Sequence, residues 1–267
     1  MRILWKEMLY MAGLALVIAY LEMTYLGEHR WLHNLNLVYS LVGFVISLLL
    51  VFRTNTAYDR WWEGRKQWGS LINDARNVAV KLNTLDLSIE DKNFFKRMIS
   101  NFAFAAKEHL VNGAKLDELD LTEEERQRIA EVDHIPVGIT ELIYERIGLL
   151  RKSGVIASED YLALDKNLNN FIAMIGACER IKNTPIPFSY SLFIKKFIFL
   201  YTGTLPVAFV GVLGYFSVLV TVFVFYVLVS MEILAEEIEE PFGTDDNDLP
   251  TDEIAERIKQ NVNAILR

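Results

Sequence analysis

The sequence has few of the residues on which most enzyme sites depend. Of its 267 residues only one is a cysteine, Cys178, and four are histidines. There is no CxxC pair, no GxSxG turn and no glycine-rich phosphate loop. A single cysteine permits no disulfide within the chain, and we expect Cys178 to be a buried, inert thiol. These absences argue against an enzyme, and we predict no catalytic residue.

One histidine pair has a spacing that could suit a metal ion. His29 and His33 are four residues apart in "HRWLH". The short connector that holds them offers no nearby thiolate and no clear carboxylate pair, which a zinc site would favour. We interpret the two histidines as interfacial side chains.

Long apolar stretches are what the sequence does have. Apolar residues make up 52% of the chain and mean hydropathy is +0.21, yet 23% of residues are charged. The stretches lie at 8–26, 37–52, 193–213 and 216–231, each close to the ~20 residues that cross a bilayer as a helix. The sequence therefore predicts four membrane helices in two hairpins, within residues 1–53 and 191–232.

Lysine and arginine set the expected orientation. The connectors "GEHRWLHNLN" and "GYF" carry only Arg30, whereas the other ends of the spans are basic. Basic residues favour the cytoplasmic side. We expect a multi-pass protein of the inner (plasma) membrane with both termini in the cytoplasm. The basic residues on that side are Arg2, Lys6, Arg53, Arg60, Arg65, Lys66, Lys195 and Lys196.

Residues 54–190 carry repeated helix signals. "SIED" (88–91) and "TEEE" (122–125) are typical of capping boxes, and "SEDY" (158–161) suggests Ser158 as an N-cap. No Gly/Ser linker separates this region from the second span, so we predict an all-α protein whose helical cytoplasmic domain continues that span. Residues 233–267 form an acidic cytoplasmic C-terminal segment.

Phe44, Leu48 and Phe52 recur every four residues in the second span. On a helix they drift only ~80° and share a face. Judged by spacing alone, this face is an ordinary packing stripe. The helix then continues without proline into "TNTAYDRWWEGRKQWG", which indicates a stiff helix leaving the membrane.

Three motifs give the chain a family resemblance. "FRTNTAYDRWWEGRKQWG" (52–69), "CERIKNTPIPFSY" (178–190) and "EEIEEPFGTDDNDLP" (236–250) resemble prokaryotic bestrophins in order and in the apolar blocks between them. The resemblance implies a homopentameric ion channel with one central pore. It also implies four membrane helices per subunit and a helical cytoplasmic region through which the pore continues.

The resemblance assigns roles to particular positions. Phe44, Leu48 and Phe52 correspond to the family's hydrophobic pore neck, so five copies would form three apolar rings. Leu162 corresponds to a second, cytoplasmic aperture, and Glu159, three residues earlier, would lie at its rim. Without the family, Leu162 is a packing residue and Glu159 a first-turn acid favoured by the helix dipole.

Calcium is the cofactor that the resemblance raises. Asp245 and Asp248 occupy the positions of side-chain ligands in the calcium clasp of animal bestrophins. The chain starts too close to its first span to supply the N-terminal carbonyl ligand, and prokaryotic relatives resemble calcium-independent channels. We expect no required cofactor, and a solvated acidic turn is the competing interpretation.

The function expected is conduction of monovalent ions. Chloride conduction is the family default, but a ring of five Glu159 side chains and the formal charge of −8 per chain favour cations. Membrane lipid is the only other expected partner, and no nucleic acid is expected. The alternative is a membrane-anchored helical scaffold that binds a cytoplasmic partner.

Overall fold

The computed structural model describes residues 4–26, 30–111 and 116–267. For residues 26 and 30–34 it describes the backbone alone. Within these residues the chain is helical and contains no strand, as predicted. The α-helices are α1 (Trp5–Leu21), α2 (Arg30–Asn83), α3 (Ile89–Val111), α4 (Glu123–Ala130), α5 (Ile135–Lys152), α6 (Ser158–Asn183), α7 (Phe188–Leu213), α8 (Phe216–Glu239) and α9 (Thr251–Ile265). A π-helical turn at Glu22–Leu26 extends α1, and a 3-10 turn lies at Leu116–Glu118.

The chain divides into two compact units. The first unit is Met1–Asp59 with Pro185–Glu239, and the second unit is Arg60–Thr184 with Glu240–Arg267. These bounds differ by several residues from the breaks at 53, 190 and 232 expected from hydropathy. The acidic C-terminal segment also contains a helix, α9, which packs on α3 inside the second unit.

The first unit contains the membrane helices. Four stretches are long and apolar enough to span a bilayer, at Trp5–Tyr25, Leu35–Asn83, Phe188–Leu213 and Phe216–Glu239. The second of these belongs to α2, whose 54 residues run about 80 Å without interruption, more than twice the hydrocarbon thickness of ~30 Å. The prediction of one long, uninterrupted helix is therefore confirmed, and its continuation out of the membrane stays a prediction.

The inside of the first unit is a small apolar cluster. Ile46 and Leu50 of α2 pack with Ile194 and Ile198 of α7 and with Leu228 of α8. Outside this cluster the helices expose many large apolar side chains. Such a surface suits a bilayer or another subunit, because a soluble monomer rarely exposes large contiguous apolar patches.

The second unit has a larger core. Trp68, Phe95, Phe102 and Phe171 lie at its centre and are fully buried. Cys178 is also fully buried, as predicted, with its thiol 3.6 Å from Met174 Sδ. Burial raises the pKa of this thiol to about 12, so it stays protonated and inert at neutral pH.

The predicted helix starts were right to different degrees. Thr122 forms the full capping box with Glu125. Ser88 accepts from the amide of Asp91 and donates its hydroxyl to the Asp91 carboxylate, so α3 starts where the motif predicts. The N-cap prediction for Ser158 was wrong. Ser158 is the first helical residue of α6, and the capping position belongs to Ala157, which offers no side-chain acceptor.

Candidate functional site

The predicted neck residues form an exposed apolar face of α2. Phe44 is 66% exposed, Leu48 44% and Phe52 56% in the isolated chain. Ile46 and Leu50, between them in sequence, point the other way into the core of the first unit. The structure thus places the three residues on one face of α2, where about half of their side-chain surface stays exposed.

A close helix approach fixes the opposite side of α2. A Cβ added at Gly43 would lie 2.5 Å from the hydroxyl oxygen of Tyr201 on α7, so a larger residue would require the Tyr201 side chain to move. Ser40 and Ser47 donate their hydroxyls to carbonyls of their own helix, at Asn36 and Gly43. Of the small residues near the neck, Gly43 is the one that lets two helices meet.

A buried charge cluster lies next to the last neck residue. Arg53 is only 1% exposed, and its Nη2 donates to Glu239 Oε2 at 2.6 Å. Its Nε is 3.9 Å from Glu232 Oε2. Among the described residues, Arg53 Nε and Nη1 and both carboxylate oxygens of Glu232 have no hydrogen-bond partner.

Sequence reasoning missed this cluster. It used Arg53 only as an orientation signal, and Glu239 lies 186 residues away in the chain. The available signal was an acidic residue, Glu232, directly after the apolar run 216–231. An ionisable residue at such a position needs a partner.

The predicted aperture residue projects from the second unit. Leu162 is 66% exposed, whereas Leu164 and Leu168 of the same helix are buried. Glu159 is exposed too, and it lies three residues earlier, on the same face of α6. Leu162 is therefore not a packing residue of its own chain.

The same face of α6 also carries a cation. Lys166 lies four residues after Leu162 and is exposed, so it shares the face with Leu162 and Glu159. Lys166 was not among the residues predicted at the aperture. In an oligomer an acidic ring and a basic ring would lie on either side of Leu162.

Polar contacts hold the start of α6 against α2. Lys81 Nζ lies 2.6 Å from both the carbonyl oxygen of Ala163 and Oδ1 of Asn167. Asn167 in turn donates to the buried carboxylate of Asp74 at 2.6 Å, and Asn170 donates to the same oxygen at 3.1 Å. These bonds position the backbone next to Leu162, and none of these polar residues was predicted from the sequence.

The two aspartates of the candidate calcium clasp build a turn. The backbone N–H of Asp245 donates to Asp248 Oδ2 at 2.6 Å, and the N–H of Asp248 donates to the carbonyl of Asp245. Burial raises the pKa of Asp248, whose Oδ1 is buried without a hydrogen-bond partner among the described residues. Because one oxygen already serves the turn, the donor set is poor for Ca²⁺, which takes six to eight oxygen ligands.

The acidic segment packs through its apolar residues. Phe242 and Leu249, which flank the turn, are buried in the second unit. A Cβ at Gly64 of α2 would lie 3.0 Å from Phe242 and 3.2 Å from Leu249, so both side chains pack closely on the backbone there. Trp61 Nε1 donates to the carbonyl of Asn247 at 2.9 Å. The motifs "DRWWEG" and "PFGTDDNDLP" therefore meet in the folded chain.

The proposed His29 and His33 pair cannot be placed. His29 and the side chain of His33 lie outside the described part of the chain.

Comparison with known proteins places the chain in a family. Residues 1–264 match the profile described as Bacterial/Fungal Bestrophin protein. A voltage-dependent anion channel-forming protein of Nostoc is 37% identical over 227 residues, covering 82% of this chain and 74% of that protein. The protein of the same description, YneE, from Escherichia coli K12 is 32% identical over 223 residues, covering 83% of this chain and 73% of YneE.

Solved structures of a bacterial bestrophin homolog superpose on nearly the whole chain. A bacterial bestrophin homolog from Klebsiella pneumoniae, solved by Zn-SAD phasing, superposes with a TM-score of 0.90 at 30% identity, covering 99% of this chain and 98% of that one. A structure of the Klebsiella pneumoniae homolog with a single leucine-to-threonine substitution gives a TM-score of 0.88, also at 30% identity, over 97% of each chain. The fold, the candidate membrane helices and the three motifs agree with these matches, and the chain belongs to the bacterial and fungal bestrophin family of ion channels.

Proposed function

We propose that five copies of this chain form a channel that conducts monovalent ions across the inner membrane. The observation that carries the proposal is the uncovered face of Phe44, Leu48 and Phe52 on a helix whose opposite side is packed. In a pentamer each residue becomes a ring of five. Three apolar rings make a barrier by the cost of stripping water from an ion, or by dewetting.

The second constriction in this proposal is a ring of Leu162. Its exposure supports a lining role, because a leucine needed only for packing would be covered by its own unit. Lys81 and Asn167 support the first turns of α6, which would keep the ring from widening freely. Both constrictions are apolar, so neither binds a permeant ion tightly.

Charge near the Leu162 ring decides selectivity. We propose a preference for cations, because Glu159 would form an acidic ring one turn before Leu162. Anion selectivity is the second candidate. Lys166 lies one turn after Leu162, and the relatives from Nostoc and Escherichia coli are described as anion channel-forming.

The orientation in this proposal has both termini in the cytoplasm. It rests on the basic residues at one end of the spans and on connectors that carry only Arg30. No cofactor is required, and calcium is not needed for conduction. A membrane-anchored scaffold without conduction is the rival function.

Flux through purified, reconstituted protein tests the proposal. The triple variant Phe44→Ala, Leu48→Ala and Phe52→Ala should widen and wet the neck, and current should rise while the oligomer stays intact. A matched control is Leu219→Ala with Phe223→Ala, two exposed apolar residues on α8, a helix that carries none of the proposed neck residues. The control should conduct like the wild type.

The same assay separates the rival functions. A pentamer without flux in the wild type and in the triple variant would favour the scaffold. Equal flux in the wild type and a well-folded triple variant would refute the neck assignment.

Reversal potentials in a salt gradient test selectivity. Glu159→Gln should shift the reversal potential toward the anion value, more at low salt than at high salt, because salt screens the ring. Glu124→Gln, another exposed first-turn acid on α4, is the matched control and should change nothing. If the wild type reverses at the chloride potential, the anion candidate replaces the cation proposal.

A further inference from the structure

Three side chains from separate helices of the second unit meet at one point. His109 lies near the end of α3, His134 is the N-cap of α5, and Glu179 lies near the end of α6. The Nε2 atoms of His109 and His134 are 2.6 Å and 2.8 Å from the same oxygen, Glu179 Oε1. The three potential ligand atoms all lie within 4.8 Å of one another.

The cluster is partly buried, and solvent can still reach it. The side chains of His109, His134 and Glu179 are 25%, 29% and 30% exposed. The two imidazole rings face each other at 4.4 Å between centroids. An ion could enter from solvent, and water could complete its coordination.

We propose that His109, His134 and Glu179 bind a divalent transition-metal ion of the zinc class. Two imidazole nitrogens and one carboxylate oxygen form a ligand set that zinc uses in sites where three protein ligands leave a fourth position for water. Calcium and magnesium prefer oxygen ligands and fit this set poorly. The neighbouring Cys178 does not join it, since its buried thiol faces Met174.

Binding requires two small changes. Zn–N and Zn–O distances of about 2.0–2.2 Å in a tetrahedral site separate ligand atoms by roughly 3.3 Å, so the two histidine nitrogens must move away from Glu179 Oε1 by about 0.5–0.7 Å. The Nδ1 atom of His134 accepts the Val137 amide at 3.3 Å, so the ring proton is on Nε2. Coordination through Nε2 moves that proton to Nδ1 and removes the cap from the Val137 amide.

A bound metal ion would link three helices of the second unit. The ligands are 25 and 45 residues apart in sequence, and the bound ion would connect the end of α3, the start of α5 and the end of α6. Because a metal that binds only the folded state stabilises it by mass action, the second unit should become harder to unfold. None of the three ligands is a residue of the proposed neck or aperture, so the site does not depend on the proposed function.

Zinc binding to the purified, metal-stripped full-length chain tests the proposal. Titration with Zn²⁺ should give one ion per chain and raise the melting temperature, whereas Ca²⁺ and Mg²⁺ at equal concentration should give no shift. Glu179→Gln and, separately, His109→Gln should weaken zinc affinity by at least about 10-fold, the loss seen when even supporting residues of metal sites are changed. Hydrogen exchange at the Val137 amide should become faster when zinc binds.

The chain supplies its own matched control. Its four histidines are His29, His33, His109 and His134. The double variant His29→Ala with His33→Ala should therefore bind zinc as the wild type does. Melting curves measured without zinc show whether each variant is folded. If one of the two ligand variants does not fold, the other still tests the site.

Two results would overturn the proposal. The first is a wild-type chain that binds no zinc at one equivalent, which would leave the cluster as a hydrogen-bonded His–Glu–His group. The second is zinc binding that survives Glu179→Gln and His109→Gln but is lost in the His29/His33 variant, which would place the ion in the external connector.

Discussion

Replacing Arg53 with methionine should destabilise the first unit strongly. The guanidinium is almost fully buried, donates to Glu239 at 2.6 Å and lies 3.9 Å from Glu232. Methionine fills similar space but leaves two carboxylates buried without a positive charge. Removing one partner of a buried pair costs about 3–5 kcal/mol, and we expect Arg53→Met to lower the free energy of unfolding by that amount.

The two glutamates should not contribute equally. Glu239 accepts bonds from Arg53 and from the Ile186 amide, each at 2.6 Å. Hydrogen bonds to charged groups contribute about 1.5–3 kcal/mol, which is the expected cost of Glu239→Gln. Glu232 makes no hydrogen bond among the described residues, so its desolvation offsets its attraction to Arg53, and Glu232→Gln should stay within about 1 kcal/mol of the wild type.

A variant that removes every charge from the Arg53 cluster distinguishes the effect of charge on stability from the effect of packing. The triple variant Arg53→Met, Glu232→Gln and Glu239→Gln removes every charge while keeping similar volumes, and it should recover most of the stability lost in Arg53→Met alone. Unfolding in mixed micelles, followed by tryptophan fluorescence during SDS titration, measures all four variants on one scale. The reasoning fails if Arg53→Met is as stable as the wild type, or if Glu232→Gln costs as much as Glu239→Gln.

Three further predictions concern single sites. Gly43→Ala should cost about 1–3 kcal/mol by overpacking against the Tyr201 hydroxyl, and Tyr201→Phe should relieve much of that cost in a double-variant cycle of unfolding. Thr122→Ala should lower stability by about 0.5–2 kcal/mol because α4 loses its capping box, and denaturant unfolding that shows no change would count against the box. Chelating calcium should change neither ion flux nor melting temperature, whereas a large calcium-dependent stabilisation that disappears in Asp245→Ala would restore the clasp.

The sequence alone was sufficient for the membrane helices, the long α2 and the family. Each of these depends on local features, namely the length and period of apolar runs and motifs that can be read directly. Local pattern also predicted the capping box at Thr122 and the burial of Cys178, both of which are confirmed. The roles of Phe44, Leu48 and Phe52 in a pore stay a prediction, since periodicity shows that they share a face but not what that face meets.

Only the tertiary structure revealed which charged and polar residues meet. Arg53 and Glu239 are 186 residues apart, Lys81 and Asn167 are 86 apart, and His109 and Glu179 are 70 apart. An apolar stripe shows which side of a helix is buried, but it does not specify the partner helix or the register between them. Those depend on packing over the whole chain, such as the approach that Gly43 permits. The pairing of Arg53 with Glu239 and the meeting of His109, His134 and Glu179 therefore could not be found by reading along the sequence.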